Sequence, residues 1–446
     1  MQLRLPHPLV LLLGAVGVAA ALTWVLPAGS YERRKDEVTG REVVVAGTYR
    51  TVEAAPVGAM ATIMSVPRGI IAGADIIITI LFVGGTFALL DATGALNRLV
   101  GGLVGRTTRP RLVVIAVTLV FATLGALENM QEEIVALIPV MVLLSRGLGF
   151  GAITAIAMSV GGAAVGSAFG PTNPFQTGIA LRFAGLPPLT IPALRFALFG
   201  AALAVWIAWT LFMLPRDDQR DGQRDSERDV AAAKAEPPTG RDALLLCIAM
   251  FPFIPYVIGV LKFDYGFNEL SAFFLVAGFA VGFVSGRDLT QTAAGFLKGM
   301  EAMLAASLFV GIARAISVVM TDGKIIDTII HGLAAPLANF PGVAAALLMI
   351  PMQALLHIPV PSVSGQAVLT MPIMAPLADL LHVSRDAAVI AYQTGGGLMD
   401  MLTPTNGAVL AILFSARVTY GRWMKFAIPG ALLVALVGAV GVVLAS

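Results

Sequence analysis

The tripeptide Pro-Thr-Asn occurs twice, at 171–173 and 404–406, each time inside sequence that is otherwise apolar. The flanking stretches read SAFGPTNPFQTGIA (167–180) and DMLTPTNGAVLAIL (400–413). No other feature constrains the fold as much. Proline lacks the N–H that a helix interior needs, and lipid offers freed backbone groups no partners. Such a break persists only where protein buries it or where it lines a wet cavity. The bilayer is the relevant solvent here. The chain of 446 residues is 57% hydrophobic and 13% charged, against about 25% charged in soluble proteins. Many of its apolar runs approach the roughly 20 residues that span a membrane as helix. An all-α polytopic membrane protein follows, with no room for a sizeable soluble catalytic domain.

The two breaks belong to repeats. They lie 233 positions apart, and the same offset pairs Pro139 with Pro372, Met141 with Met374, Gly162 with Gly395 and Ile179 with Ile412. Upstream, Phe82-Val83-Gly84 answers Phe309-Val310-Gly311. The charged stretch 216–241 separates the halves and reads as a solvated linker. The domain reading is therefore 1–215, a linker at 216–241, and 242–446. A second polar stretch, 29–57, has strand-like residues and suggests a small ordered loop; the apolar run before it, 9–26, is either a cleaved signal peptide or a retained first helix.

Several runs are too short to span alone. The pairs within 111–147 and 342–382 are joined only by ENMQ and PVPSVS, and each predicts a helical hairpin that enters and returns on one side. Segments 151–183 and 386–416, each holding a Pro-Thr-Asn, predict broken helices. Arg106, Arg109, Arg111 and Arg146 place both ends of the first hairpin in the cytoplasm. With the N-terminus and the linker also inside, both ends of the second hairpin and the C-terminus fall outside. The repeats would then be inverted. Inverted repeats with discontinuous helices are a common build of secondary transporters, with substrate and coupling ions bound near the midplane at the breaks.

The candidate site residues follow from cost and chemistry. Thr172, Asn173, Thr405 and Asn406 bring side-chain oxygens and amides to unwound backbone; the plainer reading makes each break a kink satisfied by neighbours. Ser362, Ser364 and Gly365 at the second tip offer hydroxyls and close backbone approach. Glu128, Glu132 and Glu133 at the first tip are expensive in lipid, at about 2.5–3.5 kcal/mol for an acid on insertion scales, unless a vestibule solvates them. Arg314, deep in LFVGIARAISVVM, is a counter-ion to those glutamates, a grip on a carboxylate, or a snorkelling cation. His357 is able to titrate near neutral pH, although a histidine so placed is more often interfacial. Asp75, Glu301 and Asp400 read as helix-end groups without an assigned role.

Three stretches, MQEEIVALIPV, GIARAISVVMTDGKIIDTIIH and SVSGQAVLTMPIMAPLADLLHVSRDAAVIAYQTGGG, resemble the YfcC family. That family lies within the DcuC-like C4-dicarboxylate anaerobic carrier group of the ion transporter superfamily, and the resemblance covers nearly the whole chain. It implies a homodimer in the bacterial inner membrane, each protomer with a scaffold and a transport domain that moves like an elevator. By position it adds Asn129 to the candidates and gives substrate contacts to Ser362, Ser364, Thr172, Asn173, Thr405 and Asn406. Oxygens at Pro171, Thr172 and Thr405, with Glu132 and His357, become candidates for a coupling Na+ or H+. The Ser-Asn-Thr tip of better-understood relatives is absent; the first tip is acidic instead. Acidic groups repel a dicarboxylate and suit a cationic or zwitterionic amino acid, as in the group's arginine/ornithine exchangers.

The function expected is thus an ion-coupled carrier or exchanger of a small amino acid or carboxylate. A Na+- or H+-coupled C4-dicarboxylate carrier is the alternative, and a passive channel the rival class. No enzyme is expected: there is no paired His/Glu metal motif, Ser/His dyad or Walker motif. No cofactor beyond the coupling ion is expected, and no nucleic-acid partner at a net charge of +2.

Overall fold

A computed structural model describes residues 7–35, 42–217, 237–263 and 265–446, so most of the 216–241 linker lies outside the described residues. Nine helices among the described residues are long and apolar enough to cross a membrane. One of them, Leu289–Asp322, runs 34 residues, about 50 Å at 1.5 Å per residue. It starts at a capping box, in which the Asp288 carboxylate accepts from the Gln291 N–H at 2.8 Å. A further helix covers Ala59–Ala72, where Pro67 and Arg68 interrupt the apolar pattern.

The segments predicted as hairpins form helices Pro110–Glu128 and Ile134–Gly147, and Gly342–His357 and Val363–Leu380. The first broken helix runs Ala152–Ile156, a π turn at Ala157–Gly161, Gly162–Phe169, the break, a second π turn at Pro174–Gly178 and Ile179–Phe183. The second runs Arg385–Tyr392, a π turn at Gln393–Gly397, the break and Gly407–Ser415. Each π turn loosens the ordinary backbone ladder and needs outside partners. At Ala157 the partner is the fully buried Trp206, whose Nε1–H donates to the carbonyl at 3.0 Å.

Small residues bring the first hairpin and the first broken helix into near backbone contact. Gly162, Gly166 and Gly170, four apart, lie on Thr118, Ala122 and Ala126, also four apart; a Cβ on Gly166 would sit 2.0 Å from the Ala122 carbonyl oxygen. This is how apolar helices associate without a hydrophobic driving force. Helices at 8–25, 59–72, 74–91, 267–284 and 289–322 pack as one group. A second group comprises 110–128, 152–169, 192–217, 342–357, 385–397 and 420–445. Helix 407–415 lies against the long helix of the first group. Both groups mix the two halves of the sequence.

The ordered loop is present as two antiparallel ribbons, Gly29–Ser30 with Arg50–Thr51 and Arg33–Lys35 with Glu42–Val44. They are fixed to the helix Ile326–Ala334. Asp327 accepts from the Tyr31 N–H and from Arg33, each at 2.9 Å, and Tyr49 stacks on His331 at 4.0 Å. Strand 42–44 also touches the return arm of the second hairpin.

Candidate functional site

Both breaks restart their helices through the asparagine. Asn173 Oδ1 accepts from the N–H groups of Phe175 and Gln176 at 2.9 and 2.8 Å. Asn406 Oδ1 accepts from Ala408 and Val409 at 2.9 and 3.2 Å. These are N-caps, which satisfy donors that the preceding proline turn leaves exposed. Each break is also tied to the last turns of a hairpin's first arm. Asn173 Nδ2 donates to the Gly125 carbonyl at 2.8 Å, and the Thr405 hydroxyl donates to the Ile358 carbonyl at 2.6 Å.

A cavity of about 660 Å³ opens between the two hairpin tips, the second break and the long helix. Asn129, Glu128, Gln131 and Glu132 line it from the first tip, Ser362 and Ser364 from the second, and Thr405, Asn406 and Asp400 from the second break. Its walls carry five carboxylates, Asp75, Glu128, Glu132, Asp322 and Asp400, against two guanidiniums, Arg68 and Arg314. Arg68 and Asp322 pair with each other. Asp400 is bonded to His357, which leaves Asp75, Glu128 and Glu132 with Arg314.

Neither the tip glutamates nor Arg314 makes a salt bridge among the described residues. Glu128 is buried, and neither of its carboxylate oxygens has a hydrogen-bond partner among the described residues. Arg314 is exposed to the cavity, its stem resting on Gly73, and makes no salt bridge among the described residues. Glu132 lies within the field of Glu133, Asp400 and Arg314. The expected tip ion pair is therefore a facing of opposite charges across open space.

Several expected site residues lie elsewhere. Asn173 is fully buried and Thr172 is exposed, and neither lines the cavity. Asn173 cannot turn inward because all its polar atoms are used in the cap and on Gly125. From this region Phe175 reaches the wall instead. Pro171 is buried in the same turn, away from the cavity. Glu133 is 2% exposed, lies outside the wall, and accepts from the Gln131 N–H at 3.1 Å. Gly365 also lies outside the wall; its N–H closes the cap on Ser362 at 3.3 Å. His357 is not interfacial but fully buried. Its Nδ1 meets Gln366 Oε1 at 2.7 Å and its Nε2 meets Asp400 Oδ1 at 2.9 Å.

Comparison with known proteins gives the family. Residues 5–446 match the profile of the C4-dicarboxylate anaerobic carriers, DcuC. The chain belongs to the DcuC family. An uncharacterized Haemophilus influenzae protein is 27% identical over 95% of this chain and 93% of its own. YfcC of Escherichia coli, provisionally named a basic amino acid antiporter, is 27% identical over 94% of this chain and 92% of its own. Among solved structures, MtrF of Neisseria gonorrhoeae, from a class described as antimetabolite efflux pumps, aligns over 99% of this chain and 95% of its own, with 13% identity and a TM-score of 0.45.

For this DcuC-family transporter, sequence reasoning missed Asp400, Asp75, Gln366 and Arg68. A signal for Asp400 existed. It stands 233 positions after Ser167, and an acid replacing a serine beside the break is a conspicuous exchange. Gln366 stands likewise opposite Glu133. Nothing in the sequence marked Asp75 or Arg68 as sharing a wall, because tertiary packing alone brings them together.

Proposed function

We propose that the cavity is the substrate site of a secondary active transporter for a small solute with more positive than negative charge. A basic amino acid such as arginine or ornithine fits best. The observation that carries this reading is the unpartnered, buried Glu128 facing an unpaired Arg314. A buried carboxylate without a partner carries a desolvation penalty of several kcal/mol. A guanidinium or ammonium group of the solute would relieve it, with Glu132 and Asp400 close by. The solute's α-carboxylate would meet Arg314 and the hydroxyls of Ser362 and Ser364. The provisional name of the Escherichia coli relative points the same way.

A C4-dicarboxylate is the second reading, favoured by Arg314 with those same hydroxyls and by the family's description. Three wall carboxylates without an ion-pair partner, Asp75, Glu128 and Glu132, weigh against it. The test is transport in proteoliposomes with radiolabelled arginine or succinate, with and without sodium. Arginine exchanged in preference to succinate supports the first reading; sodium-dependent succinate uptake overturns it. Failure to accumulate any solute uphill would leave a passive channel.

The moving parts are read in the same spirit. The packing group around the long helix would be the scaffold, and the group around the first arms of both hairpins and the broken helices would be the transport domain of an elevator. Halves 1–215 and 242–446 would be inverted repeats in a homodimer of the bacterial inner membrane. The N-terminus and linker would be cytoplasmic and the C-terminus outside. Cysteine labels at Arg106 and Arg146 should react from the cytoplasmic side, and labels at Phe340 and His382 from the other. Labelling of 106 and 146 from opposite faces would turn the first hairpin into a full crossing.

A further inference from the structure

We infer that His357 and Asp400 hold one exchangeable proton between them, and that this proton is the coupling ion released when a cationic solute enters the cavity. The first half stands on geometry alone; the second rests on the cavity being the substrate site. The side chain of Gln366 fixes the argument. Its Nε2 donates to the Gln353 backbone carbonyl at 2.7 Å, an oxygen that can only accept. The other end of the amide, Oε1, must therefore be the oxygen that faces His357 Nδ1 at 2.7 Å. An oxygen there requires that Nδ1 carry a hydrogen.

Asn406 is fixed in the same way. Its Oδ1 accepts from two backbone N–H groups, so its Nδ2 is the donor to Asp400 Oδ1 at 2.8 Å and to the Asp400 carbonyl at 3.0 Å. Asp400 Oδ1 also stands 2.9 Å from His357 Nε2. With Nδ1 already protonated, a neutral imidazole would present a lone pair at Nε2 to a carboxylate lone pair. That contact is repulsive. A second proton must lie on the Nε2–Oδ1 line, carried by the imidazolium or by the carboxylic acid. Either way the pair is net neutral and holds one proton more than a neutral histidine beside an ionised aspartate.

Its position makes that proton useful. His357 ends the first arm of the second hairpin and does not line the cavity, whereas Asp400 starts the second break and does. Loss of the proton would leave the pair with a net negative charge and no hydrogen bond between His357 and Asp400. Other ionisable groups act on the pair. Glu132 faces Asp400 from the first tip, with Glu128 and Glu133 beside it and Arg314 across the cavity. Tyr392 on the second broken helix feels Asp400, while its hydroxyl is committed to the Val363 carbonyl at 2.5 Å. A solute cation near Asp400 would lower the pair's hold on the proton, and by reciprocity the proton would weaken the solute. Proton and cationic solute would thus exclude each other, as an antiporter requires.

The test is 15N NMR of histidine-labelled full-length protein in lipid nanodiscs; the chain has only four histidines. Titration without any solute examines the proton site by itself. His357→Gln identifies the signal by its loss. Should that variant fail to fold, Asp400→Asn identifies it by displacement, since among the described residues His357 is the histidine bonded to Asp400. Nδ1 should stay protonated while the Nε2 signal moves in one step as pH is raised across the range in which the protein stays folded. Asp400→Asn should lower the midpoint by about one unit or more, as expected when an imidazolium loses its anionic partner. Ring nitrogens that do not move over this range, or that move alike in Asp400→Asn, overturn the proton site. Adding arginine to the wild type should shift the midpoint downward by about one unit. A titration that is present but indifferent to arginine leaves the proton site standing and removes the cationic-solute reading, along with its role in coupling.

Discussion

At the first break Asn173 caps the helix behind it and ties its remaining amide to Gly125; at the second, Asn406 makes the same two capping bonds but turns its amide to Asp400. The surroundings then diverge. Ser167 bonds to Asn129 and, at 3.0 Å, to Gln176, all neutral groups. Asp400, 233 positions later, bonds to His357 and opens onto the cavity. Two identical tripeptides thus give the same backbone solution with different chemistry. On the proposed reading the neutral break would act as a fixed joint, and the charged break would change its bonding with a proton or a cation. Function is written in the side chains around the motif, where the halves differ, more than in the motif they share.

The largest expected effect separates the two asparagines. Asn173→Ala and Asn406→Ala should each lose a helix cap, about 0.5–2 kcal/mol of stability. Asn406→Ala should also abolish exchange, because it strips Asp400 of a donor at the cavity wall. Asn173→Ala should lower the melting temperature yet retain exchange per folded molecule. Size-exclusion thermal shifts paired with radiolabelled exchange distinguish the outcomes. A folded Asn173→Ala protein that exchanges nothing would place the first break in the site after all.

The helix ends at the two tips and the breaks were legible because their signals are local. ENMQ and PVPSVS are too polar to continue an apolar helix, and a proline followed by asparagine ends one helix and caps the next. The cavity was legible only on the side of the second break and the two tips. Thr172 and Asn173 were assigned by symmetry with Thr405 and Asn406, and symmetry does not say which copy faces water. Asp75 and Arg68 reach the wall through packing of 59–72 and 74–91 on the long helix, over sequence separations that no spacing rule reports. His357 looked interfacial because its neighbours at the tip are polar; its burial depends on Gln366 and Asp400, which arrive from two other elements.

A second contrast lies within the first tip. Glu128 faces the cavity with no partner, whereas Glu133 is enclosed and bonded to the Gln131 N–H. Glu128→Gln keeps the shape and removes the charge. Affinity for a basic amino acid should fall by about 2–5 kcal/mol, the cost of removing one member of a desolvated charge pair. Glu133→Gln should leave affinity near wild type and cost about 1 kcal/mol of stability for the altered hydrogen bond. Binding isotherms on the two purified variants make the comparison directly. Equal losses of affinity would mean that the tip acts as a diffuse acidic field, without one gripping carboxylate.

The smallest effect on transport is expected at the two ribbons, which lean on helix Val363–Leu380 through strand 42–44. Their anchor is Asp327, buried at 4% exposure, with Arg33 at 32%. Asp327→Asn should destabilise the protein by about 1.5–3 kcal/mol, the range for hydrogen bonds to a charged group. Solute affinity should stay unchanged, since no ribbon residue lines the cavity. The same anchor has a pH signature. Burial, with the Asp327 carboxylate, pushes the Tyr31 phenol up to about 12 from its ordinary value of 10.0. The folded state therefore favours the neutral phenol. Its contribution is complete below the unfolded value and is lost as pH rises from about 10 through about 12. Tyr31→Phe cannot ionise, so it should remove that alkaline component from a melting-temperature profile and leave the neutral-pH exchange rate alone. If Tyr31→Phe or Asp327→Asn alters solute affinity, the ribbon reaches the second break through the hairpin, and the contrast between a fixed first joint and a responsive second one extends to the outer surface.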